Sequence, residues 1–135
     1  MVNKIKFYNN FKVLEIHKHS IILIGNFDGL HLGHQKLFKL AKKYKKKFRL
    51  KIGIITFEPM PKMYFNKSIK NFRLSNLDQK KKILENLGID FIIIKKFDKK
   101  FSKIKSYSFV KDVLYKSLRA KYIFVSDNFR FGNKR

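Results

Sequence analysis

Four short runs of consecutive apolar residues divide the chain: Ser20–Phe27, Lys51–Phe57, Asp90–Phe97 and Lys121–Val125. Many of their side chains are β-branched, and the apolar residues follow one another instead of alternating with polar ones. This pattern predicts strands that are buried on both faces of a sheet.

Helical periodicity occupies the intervals between these predicted strands. In the first interval, apolar residues recur at i, i+3, i+4, i+7 and i+11, which is one stripe along a helix. The members of this stripe are Leu37, Leu40, Ala41, Tyr44 and Phe48. The other side of the same helix is basic and is interpreted as a solvated face, made by Lys36, Lys39, Lys42, Lys43 and Lys46.

Two further helices are expected. One begins at Ser75 as its N-cap and ends at Gly88, a residue type that is common just past a helix C-terminus. Its core-facing residues are Leu77, Leu84 and Leu87. The other helix runs from about Tyr107 to Leu118, and its expected buried stripe is Val110, Val113, Leu114 and Leu118.

The alternation of strands and helices predicts an α/β fold with a parallel sheet and right-handed crossovers. In such open sheets, ligands bind beyond the carboxyl ends of the strands. The segments that follow Phe27, Phe57 and Val125 are therefore the candidate site. The 135 residues are enough for one compact domain.

Charge is the most unusual feature of the composition, with 33 basic and 9 acidic residues and a formal net charge of +24. Such a surface attracts polyanions, including nucleic acid. The basic residues are 28 lysines and 5 arginines, however, and a base-reading surface is expected to use arginine. We interpret the charge as a compositional bias towards AT-rich codons and expect no specific nucleic-acid partner. A dedicated nucleic-acid site is the alternative.

The chain has no cysteine, which excludes a disulfide scaffold, a thiolate zinc site and a cysteine nucleophile. The longest apolar runs are Ile21–Ile24 and Phe91–Ile94, far below the roughly 20 residues that span a bilayer. The N-terminus shows no apolar signal-peptide core. We therefore expect a soluble cytoplasmic domain with no membrane partner.

The richest chemistry follows the first predicted strand, in the segment Gly25-Asn26-Phe27-Asp28-Gly29-Leu30-His31-Leu32-Gly33-His34. The two imidazoles of His31 and His34 are three residues apart at a helix start, so they lie on one side of its first turn. A helix N-terminus with free N–H groups already favours anions, and two imidazoles add directional donors for a phosphate.

A metal site is the competing interpretation of these histidines. It lacks a third ligand, because cysteine is absent and His17 and His19 precede the strand. We predict that no metal is bound by these side chains, and that His17 and His19 lie on the solvated surface.

This segment resembles the His-x-Gly-His signature of the nucleotidylyltransferase superfamily. More narrowly, it is similar to G-x-F-D-G-x-H-x-G-H of the prokaryotic bifunctional riboflavin kinase/FAD synthetases. Thr56-Phe57-Glu58-Pro59-Met60-Pro61 is similar to that family's T-F-E/D-P-H-P, and Asn128-Phe129-Arg130-Phe131-Gly132 to its D/N-F-R-F-G. The resemblance begins near residue 20, continues to the last residue and implies a Rossmann-like, three-layer α/β/α domain.

The resemblance implies FMN adenylyltransferase activity, in which AMP passes from Mg·ATP to FMN and gives FAD and pyrophosphate. It implies that His31, His34 and Asn128 act in catalysis. The ATP-binding residues would be Gly25, Asn26, Phe27, Asp28, Gly29, His31, Gly33 and His34. The flavin-binding residues would be Thr56, Phe57, Glu58, Pro59, Asn128, Phe129, Arg130 and Phe131.

The chain departs from the family pattern at Met60, where histidine is usual, and at Ser126, where glycine is usual. Family members also continue with a basic closing segment and a separate riboflavin kinase domain. We therefore expect residues 1–135 to be an adenylyltransferase domain that is incomplete at its C-terminus, without the kinase domain. The alternatives are a non-catalytic remnant that binds nucleotide or flavin, and another nucleotidylyltransferase with the His-x-Gly-His motif.

Overall fold

A computed structural model describes residues 4–25, 32–58 and 81–126, with the backbone alone at residues 32–34. Its strands are β1 (Lys6–Tyr8), β2 (Ile21–Ile24), β3 (Ile52–Glu58), β4 (Phe91–Lys96) and β5 (Tyr122–Val125). They form one sheet in the order β1-β4-β3-β2-β5, and all four neighbouring pairs are parallel. The predicted parallel α/β fold is confirmed.

Helices cover both faces of this sheet. They are α1 (Leu32–Phe48), α2 (residues 81–86), α3 (Lys99–Ser102) and α4 (Ser106–Ser108), which continues as a π-helix over Phe109–Ser117. A short 3-10 helix, Glu15–His17, precedes β2. Phe38, Ala41 and Leu84 pack on one face of the sheet, and Phe101, Phe109 and Leu114 on the other. The result is the expected three-layer arrangement.

The four predicted strands correspond to β2–β5, and β1 was not predicted. The strand ends mostly differ by one residue from the prediction, although β2 ends earlier, at Ile24. One part of the prediction is wrong, because β5 is not buried on both faces. Ile123 and Val125 are 41% and 48% exposed, since β5 is the edge strand of the described sheet.

The stripe predicted for α1 is rotated in the structure. Phe38 and Ala41 are buried on the sheet, whereas Leu40 is exposed. Lys45 lies on this side of the helix as well, and its partly buried ammonium is 2.7 Å from an Asp90 carboxylate oxygen. The five lysines expected on the solvated face, Lys36, Lys39, Lys42, Lys43 and Lys46, are all exposed.

The third predicted helix is present, but most of it is a π-helix. Buried Phe109 and Leu114 are five residues apart, and this spacing places them on one face when the hydrogen bonds run from i to i+5. Val110, which the α-helical period would bury, is 52% exposed and was wrongly predicted.

In the second predicted helix, Leu84 is buried and Gly88 has the left-handed φ of +84° expected past a helix end. Ser75 and Leu77 lie outside the described residues.

His17 is buried, so its predicted place on the solvated surface is wrong; His19 is exposed as predicted. The His17 ring stacks on Phe91 at 4.4 Å between centroids, and its Nδ1 lies 2.7 Å from the Tyr8 hydroxyl. That hydroxyl accepts a hydrogen bond from the Leu14 N–H, so its own proton is available to Nδ1. His17 thereby fastens the segment between β1 and β2 over the sheet.

The Phe91 ring lies directly over Gly53 of β3, which has no side chain to obstruct it. A Cβ at position 53 would fall far inside van der Waals contact with three atoms of the ring. The ring is fully buried between this glycine and His17, and Tyr8 meets its edge. Gly53 is thus required by close approach of the aromatic stack.

None of the helices within the three described ranges is both long and apolar enough to cross a membrane.

The stack predicts that Gly53→Ala destabilises the fold by about 1–3 kcal/mol, because the enclosed Phe91 ring has no space into which it can move. Urea denaturation of both proteins measures this difference. In a Phe91→Leu background the smaller side chain leaves room for the added methyl group. Gly53→Ala should therefore destabilise Phe91→Leu much less than it destabilises the parent. Equal midpoints for Gly53→Ala and the parent would contradict the packing described.

Burial lowers the pKa of the His17 imidazole, and the nearby Lys51 and Lys6 lower it further, while Asp90 partly opposes them. Because the folded protein favours the neutral ring, His17 stabilises the fold above its ordinary pKa of about 6.5. This stabilisation is lost as the pH falls below that value. Urea midpoints measured between about pH 7.5 and 5.5 should therefore fall less in His17→Gln than in the parent. An identical pH dependence would exclude this role.

Candidate functional site

At this edge of the sheet β2 and β5 end at the same level, and β3, on the other side of β2, continues to Glu58, three residues beyond Ile55. Ile24 of β2 is in register with Ile55 of β3 and with Val125 of β5. The ladder continues one residue further, because the Gly25 N–H donates to the Ile55 carbonyl oxygen at 3.2 Å and the Ser126 N–H donates to that of Ile24 at 3.0 Å. The strands that precede the predicted site segments therefore all end at this edge of the sheet.

Helix α1 begins next to this edge. It starts at Leu32, a few residues after β2 ends, and Gly33 and His34 belong to its first turn. The first N–H groups of a helix have no partner within it and carry partial positive charge, so they favour an anionic ligand. Gly33 and His34 of the predicted His-x-Gly-His element thus lie at the start of a 17-residue helix.

The end of β3 presents different side chains to the two faces of the sheet. Ile52 and Ile54 belong to the apolar cluster that includes Phe38 of α1, and strand side chains alternate. Thr56 and Glu58 consequently lie on the same face as α1. Thr56 is buried and Glu58 is partly exposed.

Phe57 lies on the opposite face and is fully buried in a cluster of aromatic rings. The centroids of Phe101, Phe97 and Phe109 are 5.4, 6.0 and 6.4 Å from its own. The structure therefore places this predicted flavin-binding residue beneath the edge, as support for the end of β3.

Several predicted site residues lie outside the described residues. On the nucleotide side they are Asn26, Phe27, Asp28, Gly29 and His31, and on the flavin side Pro59, Asn128, Phe129, Arg130 and Phe131. Met60, a departure from the family pattern, is also among them; Ser126, the other departure, is described and closes the ladder of β5 with β2.

Two basic residues at the end of β4 were missed by the sequence analysis. Lys96 is exposed and is in register with Glu58, and the Lys95 ammonium lies 5.6 Å from the Phe101 ring centroid. By alternation along the strand, Lys96 lies on the α1 face. The available signal was the pair of lysines that ends the otherwise apolar run Phe91–Lys96.

Histidine, aspartate and glutamate side chains in the described part of the chain form no group of three or more that could hold a metal ion. Glu58 ends β3 at this edge, and Asp98 follows the end of β4, where it caps helix α3. The described site is therefore a helix N-terminus flanked by a threonine, a glutamate and a lysine.

Comparison with known proteins gives one consistent family. Residues 13–135 match the family model described as FAD synthetase. The chain is 40% identical over 121 residues to the bifunctional riboflavin kinase/FMN adenylyltransferase of Buchnera aphidicola from Schizaphis graminum, covering 90% of this chain and 39% of that protein. The Escherichia coli K12 protein of the same name is 36% identical, with 85% of this chain and 37% of that protein covered.

The chain thus spans about two fifths of the length of these curated relatives. Among solved structures, it is similar to a macrolide-efflux protein from Streptococcus pneumoniae, with a TM-score of 0.73 and 24% sequence identity. The match covers 98% of this chain and 43% of that one, and it supports the fold alone.

Proposed function

The chain belongs to the FAD synthetase family, and on that premise we propose that it is part of an FMN adenylyltransferase domain. The reaction would transfer AMP from ATP to FMN and release pyrophosphate. The observation that carries the proposal is the edge of the sheet that β2, β3 and β5 share, because these neighbouring parallel strands all end there and each is followed by one of the three motif segments.

This reaction needs no nucleophile from the protein. An oxygen of the FMN phosphate forms a bond to the α-phosphorus of ATP, while the bond from that phosphorus to the bridging oxygen breaks and pyrophosphate leaves. Catalysis then consists of positioning two anionic substrates and neutralising the charge that spreads over the phosphoryl oxygens. We propose that Mg²⁺ enters with ATP as Mg·ATP.

The nucleotide would occupy the space beside the start of α1. We propose that His31 and His34 donate hydrogen bonds to its phosphates, and that the first turn of α1 adds partial positive charge. Backbone groups of residues 25–29 would shape the ATP pocket, and Gly33 would allow the phosphates to approach the helix. Lys96, on the same face of the sheet, would add a charge near the leaving pyrophosphate.

FMN would lie across the ends of β3 and β5. Thr56, Glu58 and Pro59 would border the flavin on one side, with Phe57 holding the end of β3 from below. On the other side we propose the residues that follow β5, with Asn128 near the reacting phosphate and Phe129, Arg130 and Phe131 along the flavin.

The relatives' names also include a riboflavin kinase activity, and we propose that residues 1–135 do not carry it. The chain matches about two fifths of those proteins, and we assign its three motif segments to the adenylyl-transfer reaction.

Removal of either imidazole should lower the rate of FAD formation by about 10²–10³, as expected for one donor to developing negative charge. The test uses this chain with the remaining C-terminal segment of the Escherichia coli relative fused after Arg135, and follows FAD by chromatography in His31→Ala and His34→Ala. His19→Asn is the matched control, because His19 is exposed at the opposite edge of the sheet. Rates within twofold of the parent in both alanine variants would show that His31 and His34 do not stabilise the transition state.

The 135-residue chain by itself should bind ATP weakly and form much less FAD than the fused chain. The family's basic closing segment would position the pyrophosphate, and misplacement by about 1 Å can cost on the order of 100-fold. The two proteins are compared with FMN and Mg·ATP under identical conditions, and FAD is quantified. Equal turnover by the two proteins would show that residues 1–135 suffice for FAD formation, and would contradict this prediction.

A further inference from the structure

The opposite edge of the sheet, where the strands begin, carries a row of basic residues that the adenylyl-transfer site does not use. Strands β3, β2 and β5 are neighbours, and each is preceded by a basic residue with a left-handed backbone. These residues are Arg49 with φ of 54°, His19 with 62° and Arg119 with 50°. They are all of the non-glycine residues with positive φ in the described part of the chain.

The identity of these residues is unusual for their conformation. A residue with a Cβ costs roughly 1–2 kcal/mol in the left-handed region, and helices more often end with glycine or asparagine there. Lysine is abundant throughout this chain, but arginine is rare, with 5 in 135 residues. The described ranges contain Arg49 and Arg119 as their arginines, and both lie in this row.

Lysines complete the row. The Ile21 N–H donates to the Lys51 carbonyl oxygen at 2.8 Å, and the Lys121 N–H donates to that of Ser20 at 2.9 Å, so Lys51 and Lys121 flank β2 at one level. We call Lys18, His19, Arg49, Lys51, Arg119 and Lys121 the amino edge. Beside it, a concavity of about 580 Å³ at the end of α1 is lined in part by Lys42, Lys46, Arg49 and Lys51.

The described carboxylates that neighbour these cations are already paired. Asp90 accepts hydrogen bonds from the Lys45 ammonium at 2.7 Å and from the Ile52 N–H at 2.8 Å. Glu15 lies 2.9 Å from the Lys18 ammonium, and the Lys18 hydrogen bond and charge lower the pKa of this exposed carboxyl, with smaller contributions from His19 and Arg119. Arg49, Lys51, Arg119 and Lys121 of the amino edge therefore keep their positive charge available to a ligand.

An exposed aromatic ring lies beside each arginine. Phe48 precedes Arg49, is 42% exposed and stacks on Tyr122 with 5.4 Å between centroids. Tyr115 is 65% exposed, and the Arg119 guanidinium carbon lies 5.9 Å from its ring centroid. Cations in a row, with separate aromatic platforms beside them, are what proteins use to bind the phosphates and bases of a single strand.

We propose that the amino edge binds single-stranded nucleic acid without base specificity. The cations would contact the backbone phosphates, and Phe48 and Tyr115 would stack on bases. A membrane surface fits less well, because interfacial binding uses a helix with a broad apolar face and these two rings are separate. The seven residues of β3 place about 20 Å between this edge and the adenylyl-transfer site, so both could be occupied together.

The test separates this edge from the total charge of the protein. One variant carries Arg49→Gln, Lys51→Gln, Arg119→Gln and Lys121→Gln. A control carries the same loss of four charges at exposed lysines on the other side of the fold, Lys99→Gln, Lys103→Gln, Lys105→Gln and Lys111→Gln. Binding of a labelled oligouridylate of about 12 nucleotides is measured between about 50 and 200 mM salt, and urea midpoints confirm that both variants are folded.

For single strands, the slope of log K against log salt is about −0.7 per phosphate contact. With four cations removed, the slope for the amino-edge variant should therefore be shallower than that of the parent by about 3, whereas the control should keep the slope of the parent. Equal losses in the two variants would overturn the proposal, because total charge would then explain the binding.

Base stacking is tested with Phe48→Leu and Tyr115→Leu. Each should weaken oligouridylate binding by about tenfold, and neither should change the binding of inorganic polyphosphate, which has no bases. Unchanged oligouridylate binding in both variants would contradict the stacking role.

Tighter binding of phosphatidylserine vesicles than of oligouridylate would overturn the choice of partner. FAD formation by the fused chain should be the same with and without the amino-edge substitutions, so the two proposals can fail separately.

Discussion

The parallel register of β2 with its two neighbours is the constraint on which the rest of the structure depends. Ile21 is paired with Ile52 on one side and Tyr122 on the other, and Ile24 with Ile55 and Val125. Because parallel strands share a direction, this register brings the strand ends that precede the three motif segments to one edge and the three left-handed basic residues to the other. A slip by one residue would exchange the two faces of the strand and separate both groups.

Parallel strands must be covered on both faces, and this requirement explains most of what the sequence predicted. The continuous apolar runs of β2, β3 and β4 need α1 and α2 on one side and the aromatic cluster of Phe57, Phe101 and Phe109 on the other. The pattern did not reveal β1, because its three residues pair with β4 across more than 80 positions of sequence. Val110 was misplaced because the α-helical period does not hold in a π-helix.

His17 shows why a local pattern fails for a buried polar residue. Its neighbours Lys18 and His19 suggest solvent, and the ring is buried only because Phe91 lies over Gly53 and offers its face, while Tyr8 offers a hydroxyl. None of these partners is adjacent in sequence. For the site, the strand ends and the helix start could be predicted from sequence, since both follow from topology. The sequence shows Lys95 and Lys96 at the end of an apolar run, but it does not show that they lie beside Glu58, because that depends on the position of β4 beside β3.

Nucleotide is proposed to bind at the carboxyl edge, where β2, β3 and β5 end, even though among the described residues the amino edge carries more positive charge. Photolabelling with 8-azido-ATP, followed by mass-spectrometric mapping of the labelled peptides, distinguishes the two edges directly. Binding at the carboxyl edge predicts labelling of peptides from residues 25–34, 56–61 or 126–132, which unlabelled ATP should suppress. Labelling confined to the peptides that contain Arg49 and Lys51, or Arg119 and Lys121, would contradict it.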